Sequence, residues 1–261
     1  MNKLNIFFGA ILFIGTIANE TFAQTTLKPI PFDKSALSGI GLKKVELKDE
    51  PEREFYQKRL IRGKDLSVYI VSSQSWTTRM NDFSIDEVVY MLNGKANIKP
   101  DQGSSNTFQS NEFFFIPKGY TGAWQIDSSE SLHYELSIIT TDRSASKNEQ
   151  LTVPQLYSKD DLSGINIKLN DSGSYEKTLT TGAELTIKLK AQKPIQKDLK
   201  DPAKEMIIHV LSGQLTIGDS SGGEQVFYTG DFFMIPAGFT GQWKSDGHGL
   251  VKYLTIEKTN T

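Results

Sequence analysis

Of the side chains that most often perform chemistry, this chain carries three histidines and no cysteine. His133, His209 and His248 make no ligand spacing. Ordinary positions account for them: a strand start at the surface for His133, a packed strand for His209 and a loop for His248. Without cysteine there is no thiolate metal ligand, no thiol nucleophile and no lipid-modified N-terminal Cys. Glu87 heads the apolar run Val88-Val89-Tyr90-Met91-Leu92. A carboxylate enclosed by such residues has its pKa raised unless it is paired, so Glu87 is a candidate general acid or base. The competing reading ties it structurally to Arg79 or another buried donor. Trp124 and Trp243 either stack on a bound ring or sugar or plug the structure. A lysine excess, Lys188, Lys190, Lys193, Lys197, Lys200 and Lys204 against Asp198 and Asp201, reads as a solvated strand edge or loop, where lysine also discourages edge-to-edge pairing.

The elements that must position these groups are short. Leu66 to Val71, Val88 to Leu92, Phe113 to Ile116 and Leu136 to Ile139 have strand length and are rich in β-branched and aromatic residues. Turn residues separate them, as in Leu92-Asn93-Gly94, Leu211-Ser212-Gly213 and Ser221-Gly222-Gly223. No long 3.6-residue periodicity bounded by caps interrupts the pattern, which argues for an all-β sandwich or barrel.

The pattern occurs twice. Phe113-Phe114-Phe115-Ile116-Pro117-Lys118-Gly119-Tyr120-Thr121-Gly122-Ala123-Trp124 returns as Phe232-Phe233-Met234-Ile235-Pro236-Ala237-Gly238-Phe239-Thr240-Gly241-Gln242-Trp243. Pro117 and Pro236 stand 119 residues apart (236 − 117), and the same offset joins Gly94 to Gly213, Gly63 to Gly182 and Tyr56 to Tyr175. So long a period marks two small domains rather than a solenoid. Leu37-Ser38-Gly39-Ile40 and Leu162-Ser163-Gly164-Ile165 mark similar starts at an offset of 125 (162 − 37), so the first copy carries a six-residue insertion (125 − 119) before Tyr56. Such a duplication can place an edge of one copy against the other and imitate a homodimer within one chain.

Met1 to Ala23 has one cation at Lys3, an apolar stretch from Leu4 to Ala18 and the small-residue ending Thr21-Phe22-Ala23, the pattern of a secretory signal peptide. The apolar stretch is shorter than the ~20 residues a spanning helix needs. Removing Met1 to Ala23 deletes Lys3 and Glu20 together and leaves the net charge at −2, without the global basic signature of a nucleic-acid binder. In an exported chain that lacks cysteine, stability must come from packed cores.

Glu87, then Gly94, then the phrase ending in Trp124 resemble the cupin superfamily, and Gly230-Asp231-Phe232-Phe233-Met234-Ile235-Pro236-Ala237-Gly238 matches its second motif more fully. The ending Pro-x-Gly-x-x-Gly-x-Trp is most similar to the ureidoglycine aminohydrolase-like and ethanolamine-utilisation-like cupins. The resemblance implies jelly-roll barrels with the pocket inside. Metal-binding cupins use a His-x-His pair, a glutamate a few residues later and a third histidine in the second motif. Here the glutamate slot holds Glu87, while the histidine slots fall on Asn81 and Phe83, or Met80 and Asp82, and the last on Gly122. In the second copy they hold Lys200, Pro202, Met206 and Gly241. Glu205 sits one position before its slot, which on a strand puts it on the opposite face. A bulge would instead bring Glu205 and His209 to the pocket face.

The expectation is an all-β chain of two tandem jelly-roll (double-stranded β-helix) barrels packed as a pseudo-dimer. Residues 1–23 are the signal peptide, 24–140 the first domain, 141–161 a linker and 162–261 the second domain. The expected function is exported, metal-free binding of a small polar or anionic metabolite, with Glu87 as the candidate catalytic group and Asn81, Phe83, Trp124, Lys200, His209 and Trp243 as candidate ligand contacts. The alternatives are a metal-independent isomerase, lyase or amidohydrolase-like enzyme using Glu87 as acid–base group, and a structural or interaction protein with filled barrels. No cofactor, metal, nucleic acid or post-cleavage membrane partner is expected. The protein is expected to be periplasmic or secreted, as a monomeric pseudo-dimer or a homodimer.

Overall fold

The computed structural model describes residues 27–129, 132–142, 153–163 and 167–260, so the expected signal peptide lies outside the described residues. The chain runs β1 (Ile30–Pro31), α1 (Lys34–Leu37), β2 (Lys43–Val45), β3 (Phe55–Arg62), β4 (Leu66–Ser73), β5 (Trp76–Met80), β6 (Glu87–Asn93), β7 (Lys95–Pro100), β8 (Asn106–Gln109), β9 (Phe113–Ile116), β10 (Gly122–Asp127), β11 (Tyr134–Thr140) and β12 (Gln155–Tyr157). It continues with α2 (Lys159–Ser163), β13 (Ser174–Thr181), β14 (Leu185–Gln192), β15 (Ile195–Lys200), β16 (Met206–Ser212), β17 (Gln214–Asp219), β18 (Glu224–Tyr228), β19 (Phe232–Ile235), β20 (Thr240–Asp246) and β21 (Val251–Lys258).

Each copy closes as two facing sheets. The first barrel has strand order β12-β9-β6-β11-β4-β3-β2 over β5-β10-β7-β8, and the second β1-β19-β16-β21-β14-β13 over β15-β20-β17-β18. The phrase that marks the duplication ends β9 and β19 at Pro117 and Pro236. Gly119 (φ 90°) and Gly238 (φ 82°) then take the left-handed turn that a side chain resists.

Strand alternation divides the apolar residues among three cores. Val89, Met91, Ile98, Phe108, Phe114 and Trp124 fill the first barrel, and Ile208, Val210, Ile217, Phe233 and Trp243 the second. Val68, Ile70, Leu136 and Ile138 face the opposite way and meet Ile187, Leu189, Leu254 and Ile256 in a third core between the barrels. These facing sheets are the pseudo-dimer interface. In β14 the residues turned to this core alternate with Thr186, Lys188 and Lys190 on the other face.

The edges are covered by exchange. β1, which precedes the first copy, pairs with β19 of the second through Ile30↔Met234 and Pro31↔Phe233. β12, which precedes the second copy, pairs with β9 of the first through Gln155↔Phe115. The domain limits read from the sequence change accordingly: part of 24–140 belongs to the second barrel's sheet, and the end of the 141–161 linker to the first's. Neither two- or three-residue strand had a periodicity to announce it.

A reciprocal carboxylate clamp locks the interface. Glu205 accepts the backbone N–H groups of Lys64, Asp65 and Leu66 at 2.7, 2.8 and 2.9 Å. Its counterpart at the repeat offset, Asp86, accepts those of Lys118, Glu184 and Leu185 at 2.8, 2.6 and 3.1 Å. A Cβ on Gly63 would collide with the Glu205 carboxylate, and one on Gly182 with that of Asp86. The glycines shared by both copies therefore make room for the other copy's carboxylate.

Candidate functional site

The wall of the first barrel is set by register. On β11, Glu135 lies opposite Val71 and Met91, and Ser137 opposite Tyr69 and Val89. Directly opposed residues share a face, so Glu135 and Ser137 point into the barrel while Leu136 and Ile138 point into the inter-barrel core. Glu87 joins them from β6, and Thr78, Met80 and Trp124 from the facing sheet. Together with Phe83 and Ile85 they line a cavity of about 120 Å³. This is the scale of a cavity that holds one benzene-sized molecule, ~150 Å³.

The mouth is built by the segment that carries the six-residue insertion and by the start of β3. Val45, Leu47, Arg53 and Phe55 bring it over the opening. Buried Arg53 donates from Nε to Ser73 Oγ at 2.9 Å and from Nη1 to Glu50 Oε2 at 3.0 Å and Thr78 Oγ1 at 3.1 Å, with its guanidinium over the Phe55 ring. Its charge is therefore matched by Glu50 at the mouth that it helps to hold together.

Two carboxyl groups face inward with different supports. Ser73 donates its backbone N–H to His133 Nδ1 at 3.2 Å, which leaves Nε2 to carry the proton and donate to Glu135 Oε2 at 3.1 Å. His133 is 1% exposed, so the surface position expected for it is corrected: a strand-start histidine is buried here because a carboxylate and a backbone N–H satisfy both ring nitrogens. Glu87 receives a hydrogen bond from Ser137 Oγ. Burial first, and the Glu135 charge second, push its carboxyl up to about 8 against the opposing Ser137 bond. At neutral pH Glu87 is accordingly an acid, able to donate or give up a proton.

Glu87, Phe83 and Trp124 thus line one cavity, and Glu87 is not tied to Arg79, which pairs with Asp101 on the surface at 2.6 Å. The other expected contacts are placed elsewhere. Asn81 is exposed, because β5 ends at Met80 and the chain turns through Asp82 at φ 56°, so the wall positions are Thr78 and Met80 instead. Lys200 is exposed beside Asp198 at 3.8 Å, since Leu199 takes the inward position. His209 lies between the barrels, stacked on Phe232 at 3.9 Å, because Ile208 and Val210 take the barrel face of β16. Glu205 stays on the outer face; the irregularity in β16 falls later, between Val210 and Ser212. Trp243 is buried within the second barrel.

Glu135, Ser137, His133 and Arg53 were missed. The alternation Tyr134-Glu135-Leu136-Ser137-Ile138 carried the signal, since two polar residues at a spacing of two occupy one strand face. The insertion carried the signal for Arg53.

The donor set does not fit the metal centre of metal-binding cupins. Gly122, the last histidine slot, lies opposite Met80 and Pro100, and a Cβ there would come within 2.5 Å of the Lys99 carbonyl oxygen. In the second copy a Cβ on Gly241 would collide with the Gly218 carbonyl oxygen. Among the described residues no group of three or more His, Asp or Glu is placed to hold a metal ion.

Fold and site together define a two-barrel cupin. The model of the EutQ-like cupin domain matches residues 64–134 and 186–253, and the chain belongs to that family. No curated protein sequence matches it. Among solved structures it is similar to a protein of unknown function from Pseudomonas syringae pv. tomato (12% identity, TM-score 0.65, covering 88% of this chain and 99% of that one). It is also similar to a putative glyoxylate-induced protein from Pseudomonas aeruginosa (14%, 0.62, 95% and 94%) and to the oxalate decarboxylase of Lactobacillus farciminis solved with formate (12%, 0.51, 95% and 88%). At these identities the likeness is one of fold.

Proposed function

We propose that this protein is an exported, metal-independent cupin whose first barrel binds a small polar molecule, neutral or cationic, between Glu87, Glu135 and Trp124. The observation that carries this reading is the pair of carboxyl groups facing one small apolar cavity. Arg53 is matched by Glu50, so a bound anion would face the Glu135 carboxylate without a compensating cation. The anionic ligand allowed by the sequence is therefore not assigned to this barrel. Export rests on the N-terminal sequence pattern, and metal independence on the glycines and apolar residues in the ligand slots.

A second reading is favoured by the raised Glu87 carboxyl. In an enzyme, Glu87 would supply a proton to the bound molecule, and Glu135, held by the His133 Nε2–H, would stabilise positive charge or accept a proton.

Calorimetry of the mature chain with glycinamide, urea, glycerol and guanidinium tests the binding reading. At least one should bind, with affinity reduced about tenfold by Glu135→Gln and little changed by Glu87→Gln, because glutamine imitates a protonated glutamate. Binding of none, or affinity indifferent to Glu135→Gln, would refute it. Turnover lost in Glu87→Gln while binding persists would establish the enzyme.

A further inference from the structure

The same register that points two carboxyl groups into the first barrel points lysines into the second. Lys188 lies opposite Thr255, which lies opposite Ile208; Lys190 lies opposite Tyr253, which lies opposite Val210; Lys197 lies opposite Trp243, which lies opposite Ile217. Ile208, Val210, Ile217, Tyr253 and Trp243 form the inner core of this barrel. Directly opposed residues share a face, so all three lysines stand on the inner side, at the rim.

We propose that this rim is a second ligand site, which takes the carboxylate of a small organic acid. Glu176 bridges Lys188 at 3.0 Å and Lys190 at 3.1 Å, so one carboxylate already occupies the geometry that a ligand carboxylate would adopt. Lys197 has no carboxylate partner among the described residues; its ammonium lies 5.5 Å over the Trp243 ring. The ammonium groups of Lys188 and Lys190 thus face Glu176, with Glu257 the further carboxylate acting on Lys188. Burial, and then the Lys190 charge, hold Lys197 below the usual lysine value, a repulsion that an arriving anion relieves.

A second observation is independent of charge. Trp243 Nε1 and Thr255 Oγ1 are buried with no hydrogen-bond partner among the described residues, and both residues belong to this wall. Buried polar atoms are satisfied in the great majority of cases. Leu199 and Met206, partly buried against the same core, offer an apolar surface to the organic part of the ligand, which favours an organic acid over an inorganic oxyanion. The site stands whether or not the first-barrel reading does.

Titration of the full mature chain with succinate at low salt, with inorganic phosphate in a parallel arm, tests the proposal. Succinate should bind saturably, at least about tenfold more weakly after Lys197→Gln and after the double change Lys188→Gln with Lys190→Gln. Lys197→Arg should restore binding, Glu176→Gln should tighten it a few-fold, and Glu87→Gln should leave it unchanged. No saturable binding below about 10 mM, equal binding after the lysine substitutions, tighter binding of phosphate than of succinate, or loss through Glu87→Gln would each overturn it.

Discussion

The two barrels share a backbone plan and differ in what they turn inward. At the repeat offset Glu87 is replaced by Met206, Tyr69 by Lys188, Val71 by Lys190 and Thr78 by Lys197, and by register Glu135 corresponds to Tyr253 and Ser137 to Thr255. The first barrel encloses a cavity with two carboxyl groups under an inserted mouth. The second is packed by Phe233, Phe239 and Trp243, with its cations at the rim. Six wall positions were thus enough to exchange acidic groups for basic ones on the inner side. The interface positions, by contrast, kept their chemistry: Asp86 and Glu205 still grip each other's copy, because loss of either would strand buried N–H groups.

The largest expected effect separates a filled barrel from a hollow one. Trp243→Ala should cost about 4 kcal/mol and Trp124→Ala about 2 kcal/mol, since truncation in a packed core opens a new cavity while truncation beside an existing one enlarges it. Chemical denaturation of both variants measures the difference, and equal losses would mean that the barrels are packed alike. Next, Glu205→Ala should destabilise by about 3 kcal/mol, because three backbone N–H groups lose a charged acceptor. Gly63→Ala should mimic it by driving that carboxylate away.

The third effect depends on pH. Glu87 in the folded chain holds its proton up to about 8, whereas the unfolded group releases it near 4.5. Its contribution to stability is full below pH 4.5 and is lost as pH rises to about 8, at a slope of up to about 1.4 kcal/mol per unit. Glu87→Gln should therefore match the wild type near pH 5 and be the more stable of the two at pH 8.5, the gap widening with pH in between. Parallel stability curves would show that Glu87 titrates normally. Met206, in the corresponding place of the second barrel, contributes no such slope. The smallest effect is the roughly tenfold loss of ligand affinity in Glu135→Gln, about 1.4 kcal/mol.

How much was legible in the sequence follows from the range of each signal. The repeated phrase gave the barrels, because a strand ending in Pro-x-Gly and followed by Gly-x-Trp is a local pattern present twice. Glu87, Phe83 and Trp124 were legible as one pocket because alternation and the repeat agree on their faces. Asn81, Lys200 and His209 were misplaced by a single strand position each, and one position exchanges pocket for surface or interface. Lys197, three residues before Lys200, is the cation on the inner side of β15, exposed at the rim. Glu135 was visible in the alternation, but its partner His133 depends on the N–H of Ser73, contributed by a strand far away in the chain. The strand exchange was not legible at all, since β1 and β12 owe their structure to the edges they cover.

The central claim is that one chain presents two barrels of opposite ligand preference, and a single crystal of the mature protein soaked with guanidinium and succinate together tests it most directly. The account predicts guanidinium in the first barrel against Glu87 and Glu135, and succinate at the rim formed by Lys188, Lys190 and Lys197. Succinate inside the first barrel, or both molecules in the same barrel, would contradict it.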